Sequence, residues 1–510
     1  MSNRTLVIPL LPGEYWWGGK AADGIDMPYS KDSVVHADLS VQLDGNQGSP
    51  LLLSNRGRVI WSEEPFAYEM EQGVITLTGS GDVRCTEELG DLREGFRYAS
   101  KTYFPPSGTF PDEILFTAPQ YNLWIELLYE PTQAKVLDYA RNVLRHGYPP
   151  GVIMIDDNWH EPYGTWKFHS GRFPDPKAMC DELHEMGFKI MLWVCPLVSP
   201  DSMTFRQLER KGYLLKDAHG DTAIRKWWNG YSAVLDCTNK ETSEWLRGQL
   251  DELMQTYGVD GFKLDAGDLD SYEPADKSAI PGTRNDQCEA WAKVGLHYPL
   301  NEYRACWKLA GQPLAQRLKD KHHQWGRNGL AHLISDGLAQ GLLGYAFSCP
   351  DMIGGGEYLN FLENSDSLDQ ELIVRYAQCS ALFPMMQFSA APWRILDDEH
   401  QSYVLEAARL HERMDGEIMK WAEHAAVTGE PVIRHMSYMF PDAGYDEVKD
   451  QFMLGEDILV APVLIKGGVE REIRFPEGRW TGEDGRVETG PCRKMVSAPI
   501  HRLPWYRRDR

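Results

Sequence analysis

Several short apolar runs in this sequence end in aspartate. Asp156 and Asp157 follow Gly151-Val-Ile-Met-Ile, and Asp265 follows Gly261-Phe-Lys-Leu with Asp268 close behind. Asp351 stands in Cys349-Pro-Asp-Met-Ile-Gly-Gly. One such aspartate is commonly no more than a helix N-cap or a turn residue. Several of them, accompanied by Trp193, Trp228 and Trp307, are the residue types that cleavage of a glycosidic bond requires. One carboxylate attacks or supports the anomeric carbon, another protonates the leaving oxygen, and others accept hydrogen bonds from hydroxyls. Indole faces pack on sugar C–H groups. Lys263 and Arg304 stand near the same run ends and are candidates for steadying an acid or gripping a sugar, with structural ion pairing as the plainer role. His169 and the pair His322-His323 match no common zinc spacing, and the chemistry above needs neither metal nor cofactor.

What must position these residues is a set of strands whose C-terminal ends converge. Tyr121 to Leu127, Gly151 to Ile155 and Phe188 to Val194 read as buried strands. Between them come amphipathic helices. Thr132 to His146 carries Val136, Ala140 and Val143 on one face. A second helix begins with Asp175 as N-cap and Pro176 at its first position, and Gly187 ends it. Glu241 to Tyr257 leads into the run ending at Asp265. This alternation continues to about residue 395, long enough for an α/β fold of the (β/α)₈ barrel type, whose chemistry sits at the carboxyl ends of its strands. Residues 1–112 lack long helical periodicity and show short alternating runs, which predicts an N-terminal β-sandwich. Phe104 to Pro111 reads as a linker, the barrel takes 113–424, and strand patterning returns in 425–510 as a second β-sandwich.

Composition narrows the partners. The 510 residues exceed one compact core and predict two to four domains. A formal charge of −23 disfavours nucleic acid and anionic membrane surfaces, so a small glycoside or oligosaccharide is the expected partner. A homo-oligomer is compatible with this but not required. The apolar run Leu6 to Leu11 is interrupted by Pro9, which argues against a signal peptide, and no run reaches the roughly 18 residues of a membrane span. The nine scattered cysteines include no Cys-x-x-Cys pair, so a reduced, cytoplasmic location is expected.

The segment Gly258-Val-Asp-Gly-Phe-Lys-Leu-Asp-Ala-Gly-Asp resembles the nucleophile strand of glycoside hydrolase family 31. Gly151-Val-Ile-Met-Ile-Asp-Asp-Asn-Trp and Gln451-Phe-Met-Leu-Gly-Glu-Asp-Ile-Leu-Val-Ala-Pro-Val resemble further segments of that family, so the likeness covers nearly the whole chain. It implies retention at the anomeric carbon with Asp265 as nucleophile. Most of the family carries its acid/base in a Trp-Ser/Ala-Gly-Asp segment. Here Gln316-Arg-Leu-Lys-Asp-Lys-His-His-Gln-Trp stands in that place. This resembles a branch containing α-galactosidases and the animal myogenesis-regulating glycosidase, and implies Asp320 as acid/base. Asp320 pairing with Lys321 on a helix surface is the structural alternative. Asp156, Asp157, Trp193, Trp228, Lys263, Arg304, Trp307 and Asp351 are the expected sugar-site residues. Much of the family has an Arg-x-His segment in the last barrel strand, where this chain reads Met386-Gln-Phe-Ser. An exo-acting α-galactosidase is therefore expected, with α-glucosidase or α-xylosidase as alternative, then a lyase or a non-catalytic sugar-binding relative.

Overall fold

The computed structural model describes residues 4–509. Its centre is a parallel eight-stranded sheet rolled into a barrel. The strands are β1 (Gln120–Asn122), β2 (Val152–Ile155), β3 (Lys189–Val194), β4 (Gly261–Leu264), β5 (Leu300–Tyr303), β6 (Gln316–Arg317), β7 (Ser348–Cys349) and β8 (Gln387–Phe388). They neighbour one another in chain order, and β8 also lies beside β1. A bridge between Met352 and Gln387 closes the last gap. Strands buried on both faces need apolar residues throughout, and β2 and most of β3 supply them.

The helices between strands begin where the sequence offers a cap. Thr132 accepts from the Lys135 amide, Asp175 from Ala178 and Asn239 from Glu241. Each such cap contributes about 1 kcal/mol. In Lys240–Tyr257, Leu246, Leu250 and Leu253 recur at helical spacing and face the barrel. Burying each leucine contributes about 2 kcal/mol. The run expected as a strand from Tyr121 to Leu127 is shorter. It stops at Asn122, whose Oδ1 accepts the Trp124 amide at 3.0 Å and starts the helical turn Trp124–Leu127.

The N-terminal residues form two sheets. One holds Arg4–Pro9, Val74–Gly79, Phe66–Glu71 and Val35–Asp38, all antiparallel. Phe66, Tyr68 and Met70 alternate inward with Glu69 and Glu71 outward. The other is built on Gln47–Ser54 and takes a strand from the barrel: Cys306–Trp307 runs parallel to Gln47–Gly48. A helix, Leu92–Tyr103, also lies in the region where none was expected. Its Leu92, Phe96 and Ala99 keep helical spacing among charged residues, and Asp91 caps it. The C-terminal strands register as one six-stranded antiparallel sheet around Met453, Leu459, Phe475 and Trp480. The boundary expected at 424/425 falls inside the helix Asp415–Thr428, which ends at the left-handed Gly429. Among the described residues no helix is long and apolar enough to cross a membrane.

Glu430 ties the N-terminal helix to the C-terminal sheet. Its buried carboxylate accepts from Arg93 at 2.8 and 3.0 Å, Arg97 at 2.7 Å and the Tyr438 hydroxyl at 3.1 Å. Burial would raise its pKa, but the Arg93, Arg434 and Arg97 guanidinium groups outweigh this and hold it at about 2. A carboxyl whose folded pKa lies below its unfolded one stabilises the protein fully above the unfolded value. That contribution disappears as pH falls from about 4.5 through about 2. Glu430→Gln should cost about 3 kcal/mol at neutral pH, because it leaves the buried Arg434 and the partly buried Arg93 with Glu456 as their remaining carboxylate. The difference from wild type, measured by denaturant unfolding at several pH values, should shrink across that acid window. A difference independent of pH would show that the charge does not matter.

Candidate active site

Alternation along β4 separates core from chemistry. Phe262 turns outward onto Tyr298, with ring centroids 4.9 Å apart. Lys263 and Asp265, two residues apart, face the barrel interior. Gly261 at the strand's base has no side chain for a reason: a Cβ there would collide with the Leu300 carbonyl of β5. Directly after Asp265, Ala266 sits at φ +55°, a conformation that costs of order 1 kcal/mol and marks a backbone forced into place.

Both oxygens of Asp265 are held. Trp193 Nε1 donates to Oδ2 at 2.9 Å and Arg304 Nε donates to Oδ1 at 3.0 Å. Burial alone would lift this carboxyl, but Arg304, then Lys263 and Arg317, reverse the effect and hold it well below the usual range. It is ionised at any working pH. Arg304 is itself fixed by Asp268, at 2.9 and 2.6 Å, and by the Gly45 carbonyl at 2.9 Å. Lys263 Nζ donates to Asp156 Oδ2 at 2.6 Å. Burial works against the ammonium, yet the carboxylates of Asp156, Asp265 and Glu302 together outweigh it and raise the Lys263 pKa. Asp157 accepts from the Tyr163 hydroxyl at 3.0 Å and from Asn229 Nδ2 at 2.7 Å.

These groups open onto a cavity of about 520 Å³ at the carboxyl ends of the strands. Asp320 joins it from the loop after β6. Its Oδ1 accepts from Arg317 Nη1 at 2.7 Å, and among the described residues nothing donates to its Oδ2. Its side chain is 36% exposed against 12% for Asp265. It does not pair with Lys321, whose ammonium is buried against Asp336 at 2.6 Å. Trp228 stands at the cavity's edge, 51% exposed, with the Arg304 guanidinium 5.9 Å from its ring centre.

Of the residues expected at a sugar site, Asp156, Asp157, Trp193, Trp228, Lys263 and Arg304 line this cavity together with Asp265 and Asp320. Trp307 does not: it is 1% exposed and belongs to the strand that completes the N-terminal sheet. Asp351 does not either. It is wholly buried and accepts from Arg317 Nη1 at 2.8 Å and from the Lys321 amide at 2.7 Å. His323 is also structural, sharing a hydrogen bond with the Gly354 carbonyl and accepting from the Asp369 amide.

Sequence reasoning missed two contributions. Trp124 and Tyr358, edge to face at 5.2 Å, add an aromatic corner to the cavity. The N-terminal loop Gln42–Asn46 forms part of its wall. Asn46 Oδ1 accepts the Lys319 amide at 2.6 Å, and Gln47 Nε2 donates to the Arg304 and Arg317 carbonyls at 2.6 and 2.8 Å. A surface loop more than 200 residues upstream leaves no spacing signal for such a role.

Comparison with known proteins agrees with this architecture. Residues 119–414 match the glycosyl hydrolases family 31 TIM-barrel domain, and residues 429–509 match the family's C-terminal domain. The myogenesis-regulating glycosidase of Mus musculus is 31% identical over 409 residues, covering 78% of this chain and 57% of that protein. The α-xylosidase XylQ of Lactiplantibacillus pentosus is 25% identical over 500 residues, covering 88% and 61%. The chain thus spans about three-fifths of the length of these relatives. An α-xylosidase structure from a soil metagenome, complexed with xylose, has the same fold: TM-score 0.85 at 21% identity, over 99% of this chain and 79% of that one. Matched through its barrel and through its C-terminal sheet, the chain belongs to glycoside hydrolase family 31.

Proposed function

We propose that this family 31 chain is a retaining, exo-acting α-glycoside hydrolase with Asp265 as nucleophile, Asp320 as general acid/base and α-galactosides as preferred substrates. The observation that carries the reading is the contrast between the two carboxylates in one cavity. Asp265 is ionised and gripped at both oxygens. Asp320 is more open and anchored at Oδ1, so that Oδ2 is available to hold a proton toward a leaving group.

The first step joins an Asp265 oxygen to the anomeric carbon as the bond to the leaving oxygen breaks. Asp320 gives its proton to that oxygen. With the charge of Asp265 consumed in the ester, the Asp320 carboxylate takes a proton from water. The resulting hydroxide attacks the anomeric carbon, and the Asp265 carboxylate leaves. Arg304 and the Trp193 N–H hold the nucleophile in line and stabilise its charge as it leaves. The pair Asp156–Lys263 and the carboxylate of Asp157 offer fixed acceptors and a donor to hydroxyls of the sugar held over Asp265.

The α-galactoside preference rests on the segment carrying Asp320 and on the last strand. Where a histidine donor is usual, Gln387 lies in the barrel interior and donates to Glu302 Oε2 at 2.6 Å and Gln120 Oε1 at 2.8 Å. A panel of p-nitrophenyl α-glycosides should show kcat/KM highest for the galactoside. Faster turnover of the glucoside or xyloside, the sugars of several named relatives, would replace the substrate while leaving the mechanism intact. An unsaturated anhydro product would mark a lyase.

Asp265→Asn should abolish the glycosyl-enzyme seen by mass spectrometry and cut kcat by roughly 10⁴-fold or more. Asp320→Asn should lower turnover of unactivated glycosides by about 10²- to 10⁴-fold, yet spare glycosyl fluorides, and azide should restore rate through an α-glycosyl azide. Wild-type turnover of a disaccharide by Asp320→Asn would remove it from the proton-donor role.

A further inference from the structure

Arg317 is wholly buried at the end of β6 and meets three carboxylates. Its Nε donates to Glu302 Oε1 at 3.2 Å, and its Nη1 donates to Asp320 Oδ1 at 2.7 Å and Asp351 Oδ1 at 2.8 Å. One guanidinium cannot neutralise three ionised carboxylates, and burying the surplus charge costs several kcal/mol. We propose that Arg317 and Asp351 are positioning residues for the acid/base: they bind Asp320 into a carboxylate pair that shares one guanidinium nitrogen and one proton. This rests on the reading of Asp320 as acid/base.

The geometry around Asp351 is built for that pairing. Its backbone stands at φ +146°, a conformation an L-residue keeps only when its surroundings impose it. The imposition is visible. Asp351 Oδ2 accepts the amides of Lys321 at 2.7 Å and Gly356 at 3.1 Å, and the Tyr376 hydroxyl lies 3.4 Å away. A Cβ at Gly356 would stand 2.9 Å from Asp351 Oδ1 and 3.2 Å from Asp320 Oδ1, so the residue passing beside both carboxylates is one with no side chain. Asp320 is held from its other side as well, since Lys321 is anchored to Asp336.

The charges facing this pair come from several elements. Asp265 of β4 and Glu302 of β5 act on Arg317, Lys263 of β4 interacts with Arg317 and Glu302, Arg304 faces Asp320, and the Cys349 thiol of β7 lies near Arg317 and Asp351. Tyr376 comes from the helix behind. Burial pushes the Asp351 carboxyl upward, Arg317 opposes it, and the Asp320 carboxylate adds to the rise. Burial thus favours a proton on the Asp351 side of the pair.

The basic limb of the kcat/KM profile reports loss of the pair's last proton. In Asp351→Asn the like charge disappears and Arg317 Nη1 serves Asp320 with no competing carboxylate, so that limb should move down by roughly one pH unit. In Arg317→Gln the cation disappears, so the limb should move up by a similar amount, and Arg317→Lys should keep it near the wild-type position. Both neutral variants should lose about tenfold or more on an unactivated glycoside and much less on the glycosyl fluoride. Opposite shifts from two neighbouring substitutions are a signature that simple loosening of the loop would not give. Thermal unfolding identifies variants that fail to fold; if Arg317→Gln is one, Asp351→Asn against Arg317→Lys decides. A limb that coincides with wild type in Asp351→Asn, or in Arg317→Gln where it folds, or equal losses on both substrates, would overturn the proposal. If Asp320→Asn itself spares unactivated glycosides, the acid/base reading fails instead.

Discussion

The structure depends on keeping one carboxylate charged where water scarcely reaches. Asp265 ends a strand in a barrel mouth, and an isolated ion there would cost several kcal/mol. Here the compensation is specific. Trp193 and Arg304 take one oxygen each, and Lys263 lies close enough to act through space. Each of these needs its own support. Arg304 is held by Asp268 and the Gly45 carbonyl, Trp193 by its place in β3, and Lys263 by Asp156 at the end of β2. The demand of one charge thus recruits β2, β3, β4, the loop after β5 and a loop of the N-terminal region. A parallel barrel is suited to this, because it brings the ends of separate strands to one mouth and leaves the strand bodies to a dry core.

The N-terminal region belongs to the site rather than merely flanking it. Cys306–Trp307 leaves the barrel to complete its sheet, and Asn46 and Gln47 return to hold the ends of β5 and β6. Backbone carbonyls and amides at the ends of such short strands have few ladder partners. Gln47 and Asn46 satisfy some of them and thereby set where Arg304, Arg317 and Asp320 begin. Loosening this contact would disturb both the anchor of Asp265 and the loop that carries Asp320.

Much of the site was legible in the sequence, because strand-end polar residues have a fixed meaning in a βα alternation. Asp156, Asp157, Trp193, Lys263, Asp265 and Arg304 all come to one cavity, and the caps Thr132 and Asp175 lie where the helices start. Trp307 misled because a tryptophan after a strand serves a sheet seam as readily as a sugar, and only partner strands tell the two apart. Asp351 misled for a subtler reason. It does stand at a strand end, but its strained backbone turns the carboxylate inward onto Arg317. Arg317 itself went unremarked, since a lone arginine within a short apolar stretch gives no periodic signal. The helix Leu92–Tyr103 was hidden by its charge density, although its apolar spacing was present.

The roles proposed for the two acids place different demands on their scaffolds. A nucleophile must meet the anomeric carbon from one direction, so its strand and its two donors leave it little freedom. A proton donor must follow leaving groups of varied shape and reverse its role within one cycle. Asp320 is placed accordingly, in a loop, with one oxygen tethered and the other open. Its tether is a cation buried in the barrel rather than a rigid strand position. That leaves the surrounding segment free to depart from the family's usual Trp-Ser/Ala-Gly-Asp pattern, provided a buried charge network replaces it. Glu302, Arg317, Asp351 and the pair Lys321–Asp336 constitute such a network. Its members are buried, so removing any one leaves the others with uncompensated charge.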